Sequence, residues 1–116
     1  DWDGIFISNN SDNAREVIFQ YCNIGYGHSD YWSSMIYTNS TFYDKPNKSI
    51  KILNSHLHHG SYRLLNLSSS RVTIEDSRFT QWGTSGAINA SCRYLIIRNR
   101  ICIPFGKTYK SFKFFF

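Results

Sequence analysis

Four eight-residue stretches of this chain are written to one pattern: VIFQYCNI (17–24), IKILNSHL (50–57), VTIEDSRF (72–79) and LIIRNRIC (95–102). Their starts lie 33, 22 and 23 residues apart, so the last two intervals nearly coincide. Val17, Ile50, Val72 and Leu95 fill the first column, Phe19, Ile52, Ile74 and Ile97 the third, and Ile24, Leu57, Phe79 and Cys102 the eighth. Between the first two columns stand Ile18, Lys51, Thr73 and Ile96, so the period is two and each stretch begins as a β-strand. The fifth column reads Tyr21, Asn54, Asp76 and Asn99. Short polar side chains of this kind tolerate a left-handed backbone, which predicts a sharp turn there.

A second strand column precedes each octet: GIFIS (4–8), SMIYT (34–38), RLLNL (63–67) and GAINA (86–90). In the first two repeats the connection is longer and holds NNSDNARE and NSTFYDKPNK, expected as surface insertions. A third short strand, such as HLHH or RFTQ, follows the turn column, and Gly27, Gly60, Gly83 and Gly106 come soon after. Each repeat therefore reads as strand, turn, strand, Asn/Asp turn, strand. Three short strands in 22–23 residues cannot bury their own apolar face. Stacking repeats about 4.8 Å apart does so, by aligning like residues into interior columns. The expected fold is all-β, a right-handed parallel β-helix of about four coils spanning 1–106, with 107–116 as a basic, aromatic tail, a truncated further coil or a cap. A leucine-rich repeat shares the period but lacks its L-x-x-L-x-L-x-x-N pattern here, and a β-sandwich would not need strands in fixed register.

WDGIFISNNSDNAREVIFQYCNIGYG resembles the repeats of right-handed β-helix proteins of the pectin-lyase-like fold. RVTIEDSRFTQWGTSGAINAS resembles the repeats of polymorphic outer-membrane-type adhesins, whose units carry GGAI and F-x-x-N; here these read SGAI and Phe79-Thr80-Gln81-Trp82. The resemblance reaches to about Gly106 and implies an extracellular or cell-surface protein. It does not fix an activity, because lyases, hydrolases, epimerases, tailspikes and adhesins share the coil.

Composition narrows the class further. One domain of 116 residues, 41% hydrophobic and 17% aromatic, describes a folded chain rich in rings. The net charge of +5 is unevenly placed, since no acidic residue follows Asp76 while Arg78, Arg93, Arg98, Arg100, Lys107, Lys110 and Lys113 do. That basic third is read as a solvated or partner-facing surface. Cys22, Cys92 and Cys102 lack metal-ligand spacing. N-x-[ST] triplets occur at Asn9, Asn39, Asn47, Asn66 and Asn89. No signal-peptide pattern and no run of the roughly 20 apolar residues needed for a membrane span is present, and both ends are expected to continue into a longer chain.

Candidate chemistry is sparse. Glu75 and Asp76 stand side by side near Arg78, but strand neighbours at a turn project in different directions, and an ion pair of Glu75 with Arg98 on the next repeat is the expected use of Glu75. The resemblance to polysaccharide lyases and glycoside hydrolases implies acids on neighbouring coils, for which Asp30, Asp44 and Glu75 are the candidates, with calcium as cofactor only in that case. His56 and His58 point to one side of a strand, near His59 and His28, as two metal ligands would. Trp2, Tyr31, Trp32, Tyr43 and Trp82 are the candidate binding rings, since exposed aromatic faces stack on sugars and apolar partners. The expected role is a non-catalytic scaffold and binding surface, with a polysaccharide, a glycoprotein or further coils of a longer chain as partner. Nucleic acid is disfavoured because no recognition motif is present. Far-UV circular dichroism is expected to show a β-type spectrum, and substantial helix would remove the basis of the repeat alignment.

Overall fold

The computed structural model describes residues 2–7, 16–27, 34–38, 48–83, 86–102 and 112–115, with backbone alone for 100–102 and 112–115. Most of both insertions, with Asp30, Tyr31, Trp32, Tyr43, Asp44 and His28, lies outside the described residues. Nine strands are described: β1 Ile5–Ile7, β2 Glu16–Gln20, β3 Asn23–Gly25, β4 Ser34–Thr38, β5 Ser49–Leu53, β6 His56–His58, β7 Arg63–Thr80, β8 Ile88–Cys102 and β9 Phe112–Phe115. The protein is all-β over these residues, with no described helix long and apolar enough to cross a membrane.

Every described ladder is parallel, and together the strands form one curled sheet. Through the third column the octets pair in the register the sequence predicts: Val17 with Ile50, Ile50 with Val72, Val72 with Leu95, and likewise Phe19, Ile52, Ile74 and Ile97. The third strands do the same, with Ile24, Leu57 and Phe79 in line. The eighth column needs correction in its last member, because the ladder of β7 and β8 slips by one residue after Glu75 and sets Cys102 opposite Arg78 instead of Phe79. Alternation puts Ile50, Ile52, Leu57, Val72, Ile74 and Phe79 inside, essentially inaccessible, against Met35, Ile36, Leu64, Leu65 and Ile88. Removing a side chain of that size from water stabilises by about 1.5–3 kcal/mol, so these columns carry the fold.

The second strand column needs correction in its first member. Ile5 pairs with Ile36, and Ile36 with Leu65, so GIFIS sits one residue out of the register in which its Gly4 would face Ser34. In the observed register Gly4 has a φ of +104° and the Met35 carbonyl oxygen 2.7 Å from where a Cβ would stand, which confines that position to glycine. A third correction concerns the expected turn before the third and fourth octets. β7 and β8 run through it as continuous strands, paired at Leu67–Ala90, Ser68–Ser91, Ser69–Cys92 and Arg71–Tyr94. Polar groups satisfy the bend from inside: the Ser69 and Ser70 hydroxyls donate to the Lys48 carbonyl, and Thr38 Oγ1 donates to the Ser68 carbonyl at 3.1 Å.

The turn column is left-handed throughout, with φ of 54°, 48°, 49° and 62° at Tyr21, Asn54, Asp76 and Asn99. The next position turns inward. Ser55 and Ser77 are buried, and each hydroxyl donates to the carbonyl two residues earlier, Leu53 and Glu75, at 2.8 Å in both cases. The same hydroxyls accept the amides of the preceding repeat, Cys22 N–H to Ser55 and Ser55 N–H to Ser77. Outside, Asn99 Nδ2 donates to Asp76 Oδ2 at 3.1 Å.

Ile97 departs from its column-mates, being 46% exposed, because among the described residues β9 covers β8 only over Ile88–Ser91 and leaves the octet of β8 bare on one side. Phe19, at the other end of the column, is half-buried for the matching reason. Substituting the central member tests the column: Ile74→Ala is expected to lower unfolding free energy by about 2–5 kcal/mol, and Ile74→Asp to abolish the cooperative thermal melt by leaving a buried charge unpaired.

Candidate functional site

The richest set of interacting polar and aromatic side chains among the described residues gathers where β3, β6 and the end of β7 lie side by side. Their outward residues are Asn23, His56 and Arg78 in one row and Gly25, His58 and Thr80 in the next. Just beyond them stands a second left-handed column, Tyr26, His59 and Gln81, with φ of 62°, 54° and 56°. Bulky residues enter this region at a cost of about 1–2 kcal/mol each. Backbone bonds hold the corner: Tyr26 N–H to the His58 carbonyl, His59 N–H to that of Thr80, and Gly60 N–H to that of Gln81.

The corner presents its rings outward. Tyr26 stacks on His59 with centroids 4.4 Å apart and planes 16° from parallel, and meets His58 edge-on at 5.6 Å. His58 lies over Gly25, where any Cβ would collide with its ring. That absence of a side chain lets His58 Nε2 reach Asn23 Oδ1 at 2.6 Å, while its Nδ1 lies 2.6 Å from His59 Nδ1. His56 Nε2 contacts Thr80 Oγ1 at 2.8 Å. Trp2 joins from the neighbouring segment, its Nε1–H donating to the Gly25 carbonyl at 2.8 Å. Tyr26, His59, Gly60, Ser61 and Gln81 line an open groove of about 340 Å³ beside the stacked rings.

Two of these histidines are disposed to be neutral. Burial lowers the His56 pKa below its usual 6.5, and the charges of His58, Arg78 and His59 lower it further. Burial and then His59 act the same way on His58. Both nitrogens of His58 and Nε2 of His56 are engaged by protein partners. No set of three or more His, Cys, Asp or Glu among the described residues is arranged to hold a metal ion.

The other candidates lie apart. Glu75 pairs with Arg98, Oε1 to Nε 3.3 Å, at a partly exposed position on the octet wall. Arg71 stands over the Tyr94 ring, 5.6 Å from its centroid. Trp82 packs against the core instead of standing clear of it. Asp30, Asp44, Tyr31, Trp32 and Tyr43 lie outside the described residues. The structure thus brings Trp2, His56 and His58 to one corner, where Tyr26, His59 and Gln81 join them. Gln81 was not singled out from the sequence, although it shares the 33- and 22-residue spacing of Tyr26 and His59. Comparison with protein-family models, with curated proteins and with solved structures finds no match for this chain.

The histidine shifts give stability a pH dependence. With folded-state values below the unfolded 6.5, the unfolded chain binds more protons once pH falls through that range, so acid favours unfolding. Stability is expected to be flat above about pH 7 and to fall as pH is lowered through about 6.5. Urea midpoints measured across this range check it, and the double substitution His56→Gln, His58→Gln should flatten the profile.

Proposed function

We propose that this chain is a segment of a right-handed parallel β-helix, about four coils long, that serves outside the cell as a rigid, non-catalytic scaffold presenting a carbohydrate-binding corner. The observation that carries the binding role is the groove beside the Tyr26–His59 stack, which sets an exposed aromatic face next to the amide of Gln81 and the hydroxyl of Ser61. A saccharide offers the complement, a weakly polar C–H face for the ring and hydroxyls for the polar rim. Parallel ladders offset by 22–23 residues support the coil, and parallel crossovers are right-handed in about 98% of cases.

A carbohydrate-active enzyme of the same fold would need at least two acids and a base converging in one groove. Glu75 faces Arg98 on the octet wall, and among the described residues no acid lines the groove. Scattered charges of this kind suit a scaffold.

A glycan array, combined with an activity screen on acidic polysaccharides, tests the proposal. Binding without turnover is expected, weakened about tenfold or more by Tyr26→Ala. Release of unsaturated products would replace the scaffold role with an enzymatic one, and an empty array would remove the carbohydrate role.

A further inference from the structure

The contact between His58 and His59 restricts where protons can sit. Asn23 Oδ1 is an acceptor only, so His58 Nε2, 2.6 Å away, must carry hydrogen. The two Nδ1 atoms, 2.6 Å apart, can hold one hydrogen between them and no more. In the neutral pair that hydrogen belongs to His59 Nδ1 and points at the His58 Nδ1 lone pair. His59 Nε2 is then bare, an acceptor on a ring that lines the groove. Add one proton to the pair. His58 Nε2 is already filled and the Nδ1–Nδ1 position is already occupied, so the proton resides on His59 Nε2. A second added proton would break one of these contacts.

We propose that His58 and His59 form a one-proton device that converts His59 Nε2 from acceptor to donor, so that in acid the groove takes an oxyanion such as a carboxylate or sulfate. This rests on the groove being the binding site described above. The surroundings are favourable to an anion once the proton is in place. Among the described residues the titratable groups against the pair are His56 on β6 and Tyr26 following β3, with Arg78 on β7 beside His56 and Asn23, Thr80 and Gln81 as neutral neighbours. Among the described residues no acid lines the groove to compete for the added charge. Tyr26, stacked on His59, offers its π-face to the imidazolium. In neutral solution the same edge accepts a hydrogen bond from a hydroxyl, which suits an uncharged sugar.

Long-range 1H–15N correlation spectra of the whole chain, recorded from about pH 8 to about pH 4.5, locate each imidazole proton without any ligand. At the alkaline end His58 is expected as the Nε2–H tautomer and His59 as Nδ1–H. Acidification should add one proton to the pair, with His59 Nε2 as the nitrogen whose shift moves. Asn23→Val, at an exposed strand position, removes the acceptor that fixes His58 and is expected to let the two rings titrate as separate histidines. Inorganic sulfate should perturb the Ser61 and Gln81 amides at acid pH and leave them unmoved at neutral pH. Two independently titrating rings in the unmodified chain, or sulfate effects equal at both pH values, would overturn the device. Loss of all glycan binding with the tautomer pattern and the sulfate response intact would count against the carbohydrate role alone and leave the device standing.

Discussion

The inward serines that follow the left-handed residues Asn54 and Asp76 are the constraint on which the rest of this structure depends. A chain that reverses direction between two strands leaves amides and carbonyls facing the interior, where an unpaired one costs about as much as a lost core contact. Ser55 and Ser77 close both accounts at once, donating within their own repeat and accepting from the one before. That fixes the corner, and the corner fixes the register of the strands on either side. Apolar columns follow, since parallel strands in fixed register must place like residues over like.

The same logic explains the candidate corner. Tyr26, His59 and Gln81 repeat the left-handed geometry farther along the chain, but their side chains project outward, where hydrogen bonds and ring stacking take the place of the buried hydroxyl. The backbone amides of Tyr26 and His59 are held by the neighbouring repeat, so the two rings stand on a rigid base. Exposed side chains on a fixed backbone lose little freedom when a ligand arrives, which favours binding. Glycine at position 25 contributes by omission, giving the His58 ring the room it occupies.

Much of the fold was legible because the interior columns are written in side-chain type. Val17, Ile50, Val72 and Leu95 announce their alignment through hydrophobicity, and Asn54, Asp76 and Asn99 announce the first left-handed column through their short polar side chains. Tyr21 kept its place only by spacing. The second left-handed column gave no such chemical signal, because Tyr, His and Gln have no common preference for positive φ, and the following glycines drew attention to themselves. GIFIS misled for another reason. Its apolar alternation does not fix the register, and the one observed sets Gly4 against the carbonyl of Met35. The corner site was half legible: the histidines are visible as a cluster, whereas the shared contact between His58 and His59 depends on ring orientations set by Asn23, 35 residues away from His58.

The equal spacing of the last octets also bears on how such a chain can change length. Val72 lies under Leu95 and Leu65 under Ile88, each 23 residues on, so excising 72–94 would splice Arg71 to Leu95 and set the fourth octet directly upon the second. The first and third columns would close up with an apolar residue still in each. Gain or loss of a whole repeat is therefore a mild change for this architecture, whereas gain or loss of a single residue inside one displaces everything beyond it.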